Sequence, residues 1–233
     1  MTAQPSATAS AAENQRGIED PGRWIVLSPR WQSPLRLAIK RMLDVVASAI
    51  LLALLSPLFL FLAIAVKLGS HGPVFYRWKV VGRAGRPYTG YKFRSMVANA
   101  DALRDGLTAR NEMTGPVFKI ADDPRVTKVG YWLRRYSLDE LPQLYSVLKG
   151  DMSLVGPRPP LVTEFARFND YQKQKLAVKP GITCLWQVSG RNQIKDFDEW
   201  VRLDLEYIAG WSLSLDLAIL ARTVTTVFSG SGR

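Results

Sequence analysis

Among its 233 residues the chain has one cysteine, Cys184, and one histidine, His71. These counts exclude a disulfide framework, a Cys/His zinc cluster and a Ser-His-Asp triad built on a well-placed base. His71 lies in the turn sequence "GSHGP", where a loop role is the simpler account. Gly-rich nucleotide motifs are missing too, since "VGRAGR" (81–86) has neither the Walker A nor the GxGxxG spacing. Large apolar groups are scarce in the opening "MTAQPSATASAAENQRG". Such a stretch does not offset its ordering entropy, so residues 1–33 are expected to form a disordered tail. No apolar run follows a basic start there, which excludes a secretory signal. Acid is scarce next. Residues 21–100 hold 12 Lys/Arg against one acid, Asp44, in a chain of net charge +11. Carboxylates, cations and hydroxyls remain as the reactive groups.

The longest apolar run is "VVASAILLALLSPLFLFLAIAV", residues 45–66, without a charge. As a straight helix it reaches about 33 Å at ~1.5 Å per residue, and a hydrocarbon core is ~30 Å thick. Core helices of soluble domains rarely stay apolar all round for this length. Ser56-Pro57 lies at its midpoint. Pro57 deprives the Ala53 carbonyl of its helical donor, which predicts a kink, and the Ser56 hydroxyl is placed to compensate. Both flanks are basic: Arg30, Arg36, Lys40 and Arg41 before, and Lys67, Arg77, Lys79, Arg83 and Arg86 after. Positive flanks favour the cytoplasmic side, so a helix that enters, bends and returns to one face suits both ends. The basic bias fits an anionic lipid surface, at ~1 kcal/mol per nearby cation. It also fits nucleic acid, less well, because the membrane run lies in its middle.

Beyond this run, 73–81 and 87–96 read as a β-hairpin around "GRAGRP". Residues 94–107 read as a helix, 124–135 as an amphipathic helix, and 137–149 as another. A helix is expected near 161–176 and an extended piece over 179–192. Two helices near 197–209 and 213–228 close the chain. The last is amphipathic and suits either the domain core or a membrane interface.

Within "YSLDELPQLYSVL" (136–148), Asp139 and Glu140 are adjacent. On a helix they point about 100° apart, which argues for two roles rather than one shared proton. Taken alone, the motif is better explained as a cap, with Ser137 at N-cap and Glu140 at N3. Its surroundings favour chemistry. Arg134 and Arg135 precede it, "VGPRPP" holds Arg158 between prolines, "SGRN" presents Arg191 on a turn, and "YKFRSM" supplies Lys92 and Arg94. Guanidinium forks bond phosphate oxygens bidentately, and Mg2+ takes one or two carboxylates plus phosphate oxygens. The grouping suggests a site for a phosphorylated ligand. Asp122-Asp123 is a second acidic pair, in a turn-forming "DDP".

The motifs "KRMLDVVASAILLALLSPLFLFL", "YKFRSM", "SLDELPQLYSVLKGDMSLVGPRPPL", "KPGITCLWQVSGRN" and "WSLSLDLAIL" resemble those of the bacterial sugar transferases, the monotopic polyprenyl-phosphate phosphoglycosyl transferases. The resemblance runs over residues ~35–228 and suggests the minimal catalytic form. It implies an α+β fold. The fold comprises a mainly helical catalytic domain (70–228) with a small β-hairpin, on a re-entrant membrane helix (34–69) kinked at Ser56-Pro57. It implies transfer of a sugar 1-phosphate, of a hexose such as glucose or galactose, from a UDP-sugar to polyprenyl phosphate, with UMP released. Such a step initiates exopolysaccharide, capsule or other glycoconjugate assembly. Asp139 matches the family's nucleophile and Mg2+ ligand, and Glu140 the second residue of the dyad. Lys92, Arg94, Arg134, Arg158 and Arg191 match positions assigned to phosphate and nucleotide. Expected partners are the UDP-sugar, polyprenyl phosphate and inner-membrane lipids, with no nucleic acid; a homodimer is compatible with this reading. The catalytic domain is expected on the cytoplasmic face of the bacterial inner membrane. The rival account is a basic membrane adaptor without catalysis, and a membrane-attached nucleic-acid binder is the third. Cys184 and Tyr131 depart from the family's usual Gly and Arg/Lys.

Overall fold

The computed structural model describes residues 31, 33–190, 193–230 and 232. Most of the tail expected over 1–33, and Arg191, lie outside the described residues. Residues 34–69 form two helices, α1 (Pro34–Leu54) and α2 (Ser56–Gly69). Ser33 caps α1, accepting a 3.4 Å bond from the Arg36 amide, and Pro34 fits the first turn because its missing N–H has no helical partner there. The break falls where the sequence places it: the two axes diverge by 63°. Ser56 Oγ donates to the Ala53 carbonyl at 2.8 Å, supplying the bond that Pro57 removes. No single described helix is long and apolar enough to cross a membrane, whereas the bent pair qualifies jointly by length and composition. Leu54 and Phe61, either side of the bend, are 71% and 66% exposed, which a soluble core helix would not leave in water.

The root of α1 is bolted to the rest of the protein. Lys40 is buried, paired with Asp216 at 2.7 Å and bonded to the Val155 carbonyl at 3.1 Å. Arg41 donates to the carbonyls of Val147 and Leu148 at 2.6 and 2.7 Å. Asp44 accepts from Ser153 Oγ and the Leu154 amide. Of the flanking cations, Lys40 is therefore internal and Arg41 is tied to the body. Arg30 lies outside the described residues, and the charge argument for the bend rests on Arg36, Lys67, Arg77, Lys79, Arg83 and Arg86.

β1 (Phe75–Val81) and β2 (Pro87–Phe93) form the expected antiparallel hairpin, with Trp78 opposite Gly90. A Cβ at Gly90 would lie 2.9 Å from the Trp78 ring, so glycine lets the indole lie flat across the strand. The helix expected over 94–107 does not form. The chain there makes turns and then a 3-10 segment, Asp105–Arg110. Non-local bonds prevail over local propensity: Met96 bridges to Val126, the Val97 amide donates to Arg125, and the Arg125 side chain reaches the Ala100 carbonyl. Helix α3 (Lys128–Arg135) follows, capped by Thr127. Gly130 presses against the backbone of Ser95, where a Cβ would meet the carbonyl oxygen at 1.8 Å.

The helix expected over 137–149 starts late. Leu138–Glu140 is a 3-10 turn and α4 spans Gln143–Lys149. The helix expected over 161–176 is broken into α5 (Val162–Phe165), α6 (Asp170–Lys173) and a 3-10 turn, Gln174–Ala177. Asn169 breaks it: its side chain accepts from the Gln172 amide, and Gln172 bonds back, which starts a new helix. Among the described residues of 179–192, only β4 (Gly181–Thr183) is strand, parallel to β3 (Ser153–Val155), and α7 (Leu185–Val188) follows. α8 (Phe197–Gly210) and α9 (Leu213–Phe228) form as expected.

The main core gathers Val147, Met152, Val155, Tyr207, Trp211 and Ile219, with Trp31 stacked on Trp211 at 4.3 Å. Asp216 ties it together, accepting from Tyr207 Oη at 2.7 Å and Trp211 Nε1 at 3.2 Å besides holding Lys40. α9 packs inward through Asp216 and Ile219 and leaves Leu217, Val224 and Phe228 exposed. It therefore joins the core on one face and presents an apolar surface on the other.

Candidate active site

The Asp139–Glu140 pair sits on a turn that its own sequence does not announce. Ser137 is not an N-cap: its backbone is left-handed, φ 53° and ψ 23°, and its side chain makes no capping bond to the 3-10 turn. A non-glycine residue pays a steric penalty in that region, and such conformations concentrate at functional sites. The turn reverses the chain between α3 and the 3-10 segment. Three residues per turn then set Asp139 and Glu140 about 120° apart. Both are buried, and both line one cavity of about 370 Å3. The cap reading is thereby replaced by a strained turn that delivers two carboxylates to a cleft.

Strand, helix and loop supply the cations. Lys92, on β2, approaches Glu140 Oε1 at 3.1 Å, and its ammonium lies 4.9 Å from the Trp78 ring centre. Arg158 reaches the same oxygen at 3.4 Å. Its loop is fixed by backbone packing, since a Cβ at Gly156 would lie 2.5 Å from the Lys179 carbonyl. Arg134, at the end of α3, donates through Nε to Ser95 Oγ at 2.9 Å. Burial lowers the pKa of Arg134, and the Asp139 charge opposes that fall. Glu140 is thus held between two cations, and Asp139 is electrostatically coupled to a third.

Lys92, Arg134, Asp139, Glu140 and Arg158 all line this cavity. Arg94 lines it too, but its three guanidinium nitrogens donate to the carbonyls of Ser70, His71 and Pro73 at 2.6–2.8 Å. The geometry reassigns Arg94 as the joint between α2 and the hairpin. Arg191 lies outside the described residues. The second acidic pair behaves as a loop: Asp123 bonds the Arg125 guanidinium at 2.6 and 2.9 Å.

The cavity also contains residues that sequence reasoning missed. Glu164 lines it, with its pKa raised by burial against the opposing Leu161 amide and Arg158. Lys175 lies behind the aromatic end, in a buried ion pair with Asp204 at 2.6 Å. Trp186 and Trp200, stacked at 4.1 Å, close that end. No local pattern joins Lys175 to Asp204, 29 positions apart, so only the fold reveals the pair. Among the described residues, no group of three His, Cys, Asp or Glu side chains could hold a metal ion. Two carboxylates beside three cations suit an ion that brings most of its ligands with a phosphorylated substrate.

The model of the family described as bacterial sugar transferase matches residues 35–230. The chain is 46% identical over 208 residues to the galactosyl transferase CpsE of Streptococcus agalactiae, covering 89% of this chain and 46% of that protein. It is 44% identical over 198 residues to the undecaprenyl-phosphate galactose phosphotransferase of Salmonella typhimurium, covering 83% and 41%. It is 39% identical over 197 residues to the exopolysaccharide production protein ExoY of Rhizobium meliloti, covering 83% and 87%. The chain therefore spans less than half of the first two relatives and most of the third.

Proposed function

Because the chain belongs to the bacterial sugar transferase family, we propose that it transfers a hexose 1-phosphate from a UDP-sugar to undecaprenyl phosphate. The products are an undecaprenyl-diphosphate sugar and UMP. One observation carries the reading: a single cleft holds Asp139 beside a Glu140 clamped by Lys92 and Arg158. The names of two relatives, a galactosyl transferase and a galactose phosphotransferase, favour galactose over glucose. A third relative is named an exopolysaccharide production protein, which supports a role in making such a polymer, and initiation of its assembly is part of this proposal.

Asp139 acts as the nucleophile. One of its carboxylate oxygens attacks the sugar-proximal phosphorus, the bond from that phosphorus to the bridging oxygen breaks, and UMP leaves with the electron pair. An oxygen of undecaprenyl phosphate then attacks the phosphosugar-aspartate and restores Asp139. The two substrates use one cleft in turn, so it need not hold both. Lys92 and Arg158 fix Glu140 and present positive charge to the phosphoryl oxygens, and Arg134 does so from the other side. Glu140 holds these cations in place and would accept a proton or help Asp139 hold the metal. Asp139 would hold Mg2+, which when bound neutralises diphosphate charge.

The bent pair, residues 34–69, is the membrane anchor in this reading, and residues 70–228 form the catalytic unit. The Ser56-Pro57 bend returns the chain to the cytoplasmic face of the inner membrane. An acceptor with its tail in lipid and its phosphate at the surface then meets the cleft at headgroup level. The direct test is UMP release from a panel of UDP-sugars with undecaprenyl phosphate and Mg2+. Release with a UDP-hexose that requires the acceptor for multiple turnovers is expected. Absence of release with every UDP-sugar would leave the adaptor account standing.

A further inference from the structure

A second cavity, of about 320 Å3, lies at the root of α1 and shares no lining residue with the Asp139 cleft. Its walls include Lys40, Arg41, Arg83 and Lys179, against one acid, Asp44. Lys40 is already paired with Asp216, and the Asp44 carboxylate is held by Ser153 and the Leu154 amide. Arg41 is held on the Val147 and Leu148 carbonyls, but among the described residues no carboxylate pairs with its charge. The same holds for Arg83 and Lys179. Three cations from three separate elements therefore converge: the α1 root, the hairpin turn and the loop before β4. Gly150 shows how close two of them are, since a Cβ there would lie 3.4 Å from Arg41 Nη2 and 3.7 Å from Lys179 Nζ. Burial lowers the Lys179 pKa, Arg41 and Arg83 lower it further, and the charges of Asp44 and Asp151 oppose the fall without reversing it. Among the described residues the cations of this wall outnumber its one acid, and an excess of held positive charge suits an anion supplied from outside.

We propose that this cavity binds the phosphate of an anionic membrane lipid, whose headgroup bridges Arg41, Lys179 and Arg83. Two features select a lipid over a free anion. The cavity is half apolar, walled by Trp31, Leu37, Ala38, Ala177 and Val178, as a glycerol and acyl stem requires. Ala38 on its wall lies one turn before the exposed Met42, Val46 and Ile50, which lead along α1 towards the bend, so an acyl chain has a surface of its own kind to follow. The bound lipid fastens the anchor's root to the catalytic unit through charge, where the Lys40–Asp216 pair already fastens it through the core. The proposal rests on the membrane placement of α1 and α2, and not on the reaction assigned to Asp139.

The test is native mass spectrometry of the full chain released from zwitterionic detergent, with submicellar short-chain phosphatidylglycerol or phosphatidylcholine. One phosphatidylglycerol retained per chain, in preference to phosphatidylcholine, is expected. Lys179→Met and Arg83→Gln should each weaken retention about tenfold, which is the loss of roughly one charge-assisted contact. Lys79→Gln, on the hairpin but outside the cavity, should leave retention unchanged, and so separates a site from diffuse charge. Both altered cavity side chains reach solvent, and thermal unfolding checks that each variant folds. Equal loss from Lys79→Gln, or no loss from either cavity variant, overturns the proposal. Inorganic phosphate that displaces the lipid at equal concentration would identify a free-anion site instead. Carbonate extraction of the same protein tests the membrane placement separately, so failure of that reading is distinguishable from failure of this one.

Discussion

At the residue scale, Ser137 shows how an apparently plain motif misleads. Ser-x-x-Glu before an apolar run is a capping signature, and both residue types are present at the right spacing. The signature carries no information about φ, and here φ is positive. Glycine accepts that conformation without strain and a β-branched residue does not. Ser137→Gly should keep the fold, whereas Ser137→Ile should lower stability by about 1–3 kcal/mol and displace both carboxylates, as thermal unfolding and turnover would report. The cations were legible as a set but not individually. Lys92, Arg134 and Arg158 reach the cleft from strand, helix and loop, while Arg94, from the same "YKFR" run as Lys92, is consumed by carbonyls. Which cation points where depends on strand register, and a motif does not record it. Replacing Glu140 with Gln removes the shared partner of Lys92 and Arg158. Turnover should fall by tens- to a hundredfold, with a smaller change in UDP-sugar binding, in a kcat against KM comparison.

At the element scale, long periodic helices were readable and interrupted ones were not. α8 and α9 carry continuous apolar spacing and appear where expected. Residues 94–107 have helical composition, but Met96 and Val97 are drawn into pairing with 125–126. Asn169 likewise restarts a helix inside an apparently continuous one. The Ser56-Pro57 bend was legible because its cause is a local one, a missing N–H. α3 packs on Ser95 only because residue 130 is glycine. Gly130→Ala should cost roughly 3 kcal/mol, the upper range for overpacking, in a denaturant titration. Lys40 gives a second test. Removing it leaves Asp216 as a buried charge without its counterion, which costs about 3–5 kcal/mol. Lys40→Met should therefore lower the unfolding midpoint markedly, whereas loss of a headgroup-facing lysine would barely move it.

Over the whole molecule, an apolar bent pair, a helical body and a cationic cleft form one arrangement. α1 packs against the body's main core through Leu37, Ala47 and Leu52. The bent pair and the cleft are therefore positioned relative to each other by packing rather than by a linker. Pro57→Leu should straighten the pair. Cysteine-accessibility mapping should then find one terminus moved across the membrane, or the protein failing to assemble; an unchanged topology with unchanged kinetics contradicts the account of the bend. The interior offers one clean probe. Cys184 is buried, and burial, followed by the Asp204 charge, raises its thiol pKa well above the ordinary value. At pH 8 it should resist thiol reagents in the folded protein and react fully after unfolding.

The account depends most on a covalent bond at Asp139. The decisive measurement is mass spectrometry of the protein after incubation with UDP-galactose and Mg2+ without undecaprenyl phosphate. A hexose-phosphate adduct confined to the peptide containing Asp139 is expected, discharged when the acceptor is added. Asp139→Asn should remain folded, carry no adduct and lose roughly a thousandfold or more in turnover. A fully active Asp139→Asn variant, or turnover that proceeds through a ternary complex with no adduct at any stage, would contradict the mechanism.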